Sequence, residues 1–239
     1  MRKLLCLALI VALALAVRAP TMAQVTGGPT LILQENGVQV ADLSNLFTQT
    51  APGIFTLSAP QVITLEDGTV MRVDRAQSMS DPFLSYAFGV TNPTASTSTF
   101  AFFFTQAVSP TLPTGSIVTN SLSGGITDAT GDGVTIAPVG AGVADATVNG
   151  SSAGIPIGGS QTSTGPGSFT YGPFNASTTS GVPITSIDAD VIFTLTGGGD
   201  AAALTGLVTA TAIPEPGTVG LLIGIGMSSS LIALKRRRR

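Results

Sequence analysis

Clusters of Gly, Ser, Thr, Asn and Pro recur about every ten residues in the body of this chain, the apolar stretches between them are short, and several alternate with polar residues at a period of two. Successive side chains on a strand point to opposite faces, so the pattern reads as β throughout. Leu31 to Leu33 begins a first strand, and Asn36-Gly37 is a hairpin-type turn before Val38 and Val40. Gln61 to Leu65 and Val70 to Val73 make the clearest hairpin, with Asp67-Gly68 expected at the positive-φ positions of the turn. Ile187 to Thr196 is the closing strand, with Val191, Phe193 and Leu195 facing one way. Gly197-Gly198-Gly199-Asp200 then turns the chain into a final strand over Leu204 to Thr211.

Leu84, Tyr86, Phe88 and Val90 share one face, Asn92-Pro93 breaks the strand, and Phe100, Phe102 and Phe104 alternate in the next. Such stripes invite a reading as a carbohydrate-stacking platform. The stronger reading is a sandwich core, which needs same-face stripes at period two in an antiparallel pair, and the absence of Trp argues further against a sugar-binding platform. Phe103, on the opposite face, is the better candidate for an exposed ring. Ser109 to Gly181 is looser and rich in Gly, Ser, Thr and Pro, with candidate strands at Ser116 to Thr119, Gly133 to Ala137, Ala144 to Val148 and Ser168 to Tyr171. Its recurrent Val and Ile suggest long loops on a sandwich over a disordered stalk. The expected fold is all-β, a single antiparallel, jelly-roll-like β-sandwich over residues 24–212.

Candidate sites are few. Asp128-Ala129-Thr130-Gly131-Asp132-Gly133 places oxygen ligands at alternate positions with a glycine sixth, like the opening half of a calcium loop. Val139 stands where the loop's bidentate Glu belongs, which favours an acidic turn; Asp128 and Asp132 are weak metal candidates, and no metal or cofactor is expected. Asp188 and Asp190 alternate on one strand face and suit help in binding a divalent ion, paired glycosidase carboxylates, or hydration of a solvent-facing edge, which needs no function.

The C-terminal stretch carries the clearest positional signal. Pro214, Glu215 and Pro216 deny helix to their neighbours and should stand extended. Thr218 to Leu234 is an uncharged run of 17 residues, about 25 Å as a helix and just enough for a bilayer core of about 30 Å. Lys235, Arg236, Arg237, Arg238 and Arg239 follow as a cytoplasmic basic stop. Motif, apolar helix and basic cluster in this order resemble the PEP-CTERM sorting signal of Gram-negative bacteria, with Ile213 where valine is more usual. The resemblance covers residues 213–239 (motif 213–217, helix 218–234, tail 235–239) and implies an exosortase-like membrane transpeptidase as partner. It implies nothing about the chemistry of the body.

The other terminus agrees. Arg2 and Lys3, then a 14-residue apolar stretch from Leu4 to Val17, then Thr21-Met22-Ala23 before Gln24, read as a Sec signal peptide over residues 1–23 cleaved after Ala23. The Sec translocon and signal peptidase are thereby expected partners. Eight of the ten cations sit in these terminal segments. The body from Gln24 to Gly217 keeps Arg72 and Arg75 against 13 carboxylates, a net charge of −11. That excludes a basic groove for nucleic acid. The body also has no His, Lys or Cys, which removes His-containing triads, thiol nucleophiles, Schiff bases, disulfides and the usual zinc sites.

The expected function is that of an exported, non-catalytic surface or extracellular-matrix protein, held transiently in the inner membrane as a precursor and associated with exopolysaccharide. The alternatives are a carboxylate-dependent extracellular polysaccharide hydrolase, or a carbohydrate-binding protein permanently anchored by its C-terminal helix.

Overall fold

The computed structural model describes residues 27–213. The signal peptide with Ala23, the Pro214-Glu215-Pro216 motif, the 218–234 helix and the Lys235–Arg239 tail lie outside the described residues. Among those described, no helix is long and apolar enough to cross a membrane.

β1 (Thr30–Glu35) and β2 (Val38–Asp42) form the first hairpin, and a 3-10 turn at Ser44–Leu46 leads to β3 (Phe47–Ala51) and β4 (Ile54–Leu57). β5 (Gln61–Thr64), β6 (Val70–Met79) and β7 (Phe83–Asn92) follow, then the long β8 (Ser98–Leu112) and β9 (Ile117–Asp128). β10 (Val134–Pro138), β11 (Ala144–Val148), β12 (Ser151–Ile157) and β13 (Gln161–Ser163) precede β14 (Gly167–Thr179), β15 (Ile184–Leu195) and β16 (Asp200–Thr211). The strands make two eight-stranded antiparallel sheets. The first runs β12-β11-β15-β8-β1-β2, with β10 on β15 and β13 on β10; the second runs β14-β9-β16-β7-β6-β4-β3, with β5 on β6.

The aromatic stripes are core. Leu84, Tyr86, Phe88 and Val90 of the second sheet are buried against Phe100, Phe102 and Phe104 of the first. Phe88 stacks on Phe102 with centroids 3.7 Å apart, and Phe193 joins Phe100 at 5.9 Å. Each such ring contributes about 1.5–3 kcal/mol through the area it removes from water. With no disulfide available, buried polar side chains also stitch the sheets together. Ser78 on β6 reaches Gln106 on β8, Asn92 on β7 reaches Leu195 on β15, and Asn120 on β9 reaches the carbonyl of Ile155 on β12.

Two expectations change. Residues 109–181 are organised as sheet: β9 and β14 pair over eleven register positions. Most of their outward positions are Ser, Thr, Gly and Asn, which hides the alternation from an apolar count. In the β5–β6 turn only Gly68 has a positive φ, 88°. Asp67 instead accepts a hydrogen bond from the Thr69 amide at 2.9 Å. The Asn36-Gly37 turn does use both positive-φ positions, 48° and 78°, as a type I′ hairpin requires.

Candidate functional site

Three crossings between the sheets meet at one end of the sandwich: β7 to β8, β9 to β10, and β15 to β16. Asn92 is their hub. Its Nδ2 donates to the carbonyls of Ser96 (2.9 Å), Leu195 (3.1 Å) and Thr196 (3.2 Å), and its Oδ1 accepts from the Thr94 amide and hydroxyl. The Gly198 and Gly199 amides donate to the carbonyls of Thr94 and Asn92.

Asp128 closes β9 as a buried cap for the next turn. Its Oδ1 accepts from the amides of Thr130 (3.1 Å) and Gly131 (2.6 Å), and its Oδ2 from Gly133 (2.8 Å). Burial pushes its carboxyl up, but the three amides outweigh burial and hold it below the ordinary carboxylate value. Asp132 is exposed and accepts from the Thr130 hydroxyl. A Cβ on Gly198, whose φ of +85° favours glycine, would come within 2.9 Å of Asp132 Oδ2, so the two turns touch.

The sequence placed Asp128 and Asp132 together; the fold adds Asp200, the first residue of β16, fully buried beside them. Val139, the twelfth position of the would-be calcium loop, is exposed on the β10–β11 connection. The third carboxylate comes instead from the neighbouring turn, where no local spacing rule would find it. Asp200 Oδ2 accepts from the Thr196 hydroxyl, while Oδ1 accepts no hydrogen bond. Burial raises the Asp200 carboxyl, Thr196 opposes the rise, and Asp128 and Asp132 add to it.

Asp188 and Asp190 lie on β15 between β11 and β8, in the interior of a sheet and not at its edge, which overturns the edge reading. Register brings a third carboxylate to them, since Asp190 pairs with Asp145 on one side and Phe103 on the other. Asp188 is 7% exposed; its Oδ2 accepts from the Thr147 hydroxyl at 2.9 Å and the Gly150 amide at 3.4 Å. Burial first, then the charges of Asp188 and Asp145, push Asp190 up to about 6. A protonatable carboxyl beside two carboxylates is acid–base equipment in principle, although the partners of Asp188 give it a structural task. Phe103 is half-buried beside Asp190 and Ile32, so it is not a free platform.

The outer face of the second sheet carries two shallow grooves. One of about 250 Å³ is floored by Gly89, Ala201 and Ala203 and flanked by Arg72. Another of about 330 Å³ is lined by Arg75, Ser85, Ser121, Ser123, Asn175 and Thr205. A bulge explains why both arginines point outward: Val73 pairs with Phe88 and Arg75 with Ala87, leaving Asp74 as the extra residue. Arg72 pairs with Asp74 at 2.8 Å.

No family model and no curated protein matches the chain. Among solved structures, it is similar to TmCBM61 in complex with β-1,4-galactotriose at 16% identity, covering 63% of this chain and 81% of that one with a TM-score of 0.27. It is also similar to the enzymatically active domain of bacteriophage CBA120 tailspike protein 4 (12% identity, 66% and 19% covered, TM-score 0.28). A third similar structure is the adhesin domain of Epf from Streptococcus pyogenes (10% identity, 80% and 60% covered, TM-score 0.28).

Proposed function

We propose that the protein is an exported, non-catalytic component of the cell surface or extracellular matrix, a jelly-roll-like sandwich delivered by an exosortase-like transpeptidase. The observation that carries this reading is the order at the C-terminus: Pro214-Glu215-Pro216, the uncharged run 218–234, then Lys235 to Arg239. A stiff, solvated proline-bracketed segment beside a bilayer is accessible to a membrane enzyme, and the five cations resist translocation. Any nucleophile for that processing belongs to the partner. The body supports the non-catalytic part, because it holds no His, Lys or Cys. Exopolysaccharide is the proposed companion, and the hydroxyl-, amide- and arginine-lined groove at Arg75 and Asn175 is where a sugar chain would lie.

Intact mass of the protein recovered from cell envelope and medium tests this. The expected species lacks Met1 to about Ala23 and everything beyond the Pro214 to Gly217 region. Mature material that keeps Arg236 to Arg239 would sink the sorting reading and leave a permanently anchored protein.

A further inference from the structure

Asp128, Asp132 and Asp200 come from two separate connections between the sheets, and we infer that together they bind one calcium ion. One carboxylate oxygen from each lies within 4.8 Å of the others. Ligands on one Ca²⁺ sit about 2.3–2.6 Å from it and so can be no more than about 5 Å apart. The three carboxylates therefore already have the spacing of a coordination sphere.

The second observation is Asp200 itself. Its side chain is 0% exposed and its Oδ1 has no hydrogen-bond donor, and a buried carboxylate oxygen without a donor or cation is costly. No side chain among the described residues answers it. The two cations there are Arg72, on Asp74, and Arg75, whose Nη2 donates to Ser85. A divalent ion held by the three would neutralise the buried Asp200 carboxylate and screen the mutual repulsion of three carboxylates at once.

The donor set selects the ion. All candidate donors are oxygens, which suits a hard cation. The three amides on Asp128 orient its carboxylate and leave lone pairs for a metal, since a carboxylate offers about four. Donors drawn from a tight turn and a strand end do not form a regular octahedron in advance, which favours calcium, tolerant of irregular shells, over magnesium. The bound ion would clamp the β9–β10 turn to the β15–β16 turn, beside the Asn92 hub. The site does not depend on the sorting reading, and the mass measurement and the metal titration fail independently.

The test uses full-length protein stripped of metal by chelation and dialysis, then titrated with CaCl₂ by calorimetry while Tm is followed. One ion per chain is expected, with a Kd of about 10⁻⁴–10⁻³ M, as in extracellular calcium modules, and a rising Tm. MgCl₂ should give a smaller rise. Asp132→Asn, at an exposed position, should weaken binding about tenfold or more through loss of ligand charge. Asp200→Asn should do the same, and if that variant fails to fold Asp132→Asn still decides. Asp145→Asn, in the other carboxylate group, should leave binding unchanged. No binding up to about 10 mM Ca²⁺, well above that range, full-strength binding in Asp132→Asn, or an equal response to Mg²⁺ overturns the assignment.

Discussion

The Ser78 hydroxyl donates to Gln106 Oε1 at 2.7 Å, both side chains are fully buried, and the two residues belong to opposite sheets. Gln106 Nε2 in turn donates to the Ala107 carbonyl at 2.8 Å. This bond sits within the apolar layer, so its worth lies mainly in what its loss leaves behind. Gln106→Leu strands the Ser78 hydroxyl and should cost about 1–3 kcal/mol. Adding Ser78→Ala should recover part of that, because replacing both partners with apolar groups removes the orphan. Urea unfolding of the four members of the cycle reads the coupling; a value near zero would show that the bond does not hold the sheets.

Tyr86 offers the opposite case. Its ring covers Gly206 on the neighbouring strand so closely that a Cβ there would meet the phenol at 2.2 Å, an aromatic filling the space a glycine leaves. Its hydroxyl is buried with no partner. Tyr86→Phe should therefore stabilise the protein, by up to about 1–3 kcal/mol, by removing an unsatisfied group. Gly206→Ala should destabilise it by about 1–3 kcal/mol through overpacking. Denaturation midpoints of the two variants must move in opposite directions.

Where a residue's neighbours are set by local periodicity, the sequence was enough. The Asn36-Gly37 hairpin, the Leu84 to Val90 stripe and the inward set Val191, Phe193 and Leu195 all follow from a period of two and turn chemistry. Where partners come from another sheet or crossing, nothing local points to them. Asp200 reads in the sequence as the end of a glycine turn, yet it is a buried strand residue facing Asp128 and Asp132. Asp145 meets Asp190 only through strand register. Arg72 and Arg75 share a face because Asp74 is a bulge, and an odd spacing would otherwise put them on opposite sides. The 109–181 strands were obscure because Gly, Ser and Thr at outward positions weaken the contrast on which alternation depends.

Asp190 sets a pH dependence. Its carboxyl is raised to about 6 in the folded protein, by burial first and then by Asp188 and Asp145. A group whose folded pKa is raised binds more protons folded than unfolded, so its contribution is fully present below the unfolded value and is lost as pH rises toward about 6. Asp200 is shifted the same way and Asp128 the other way, so the comparison with a variant isolates Asp190. Wild-type protein should lose stability relative to Asp190→Asn as pH rises from 4 to 7. Parallel Tm curves for the two across that window would count against this assignment.

Asp188 separates the structural reading from a hydrolytic one. Its carboxylate holds the Thr147 hydroxyl and the Gly150 amide at the β11–β12 turn. Asp188→Asn should cost about 1–3 kcal/mol, as weakening the partner of a buried donor does, and neither it nor the wild type should release new reducing ends from polysaccharide. Release by the wild type that Asp188→Asn abolishes would replace the non-catalytic reading with the hydrolase.

Asn92 is an exacting position. Its amide nitrogen faces three carbonyls, from Ser96, Leu195 and Thr196, where only a donor is tolerated, and it stands directly opposite Asp200 in the β7–β16 register. Asn92→Ala leaves those carbonyls to find other partners and should cost about 1–3 kcal/mol. Asn92→Asp is nearly isosteric yet should cost more at pH 7, about 3–5 kcal/mol, because it buries a charge against three acceptors and beside an existing carboxylate. Protonation relieves that conflict by restoring one donor, so the new carboxyl should have a raised folded pKa and its penalty should shrink as pH falls. Denaturant unfolding of both variants at pH 7 and pH 4.5 checks the sign. If Asn92→Asp stays worse than Asn92→Ala by the same margin at both values, charge is not the cause.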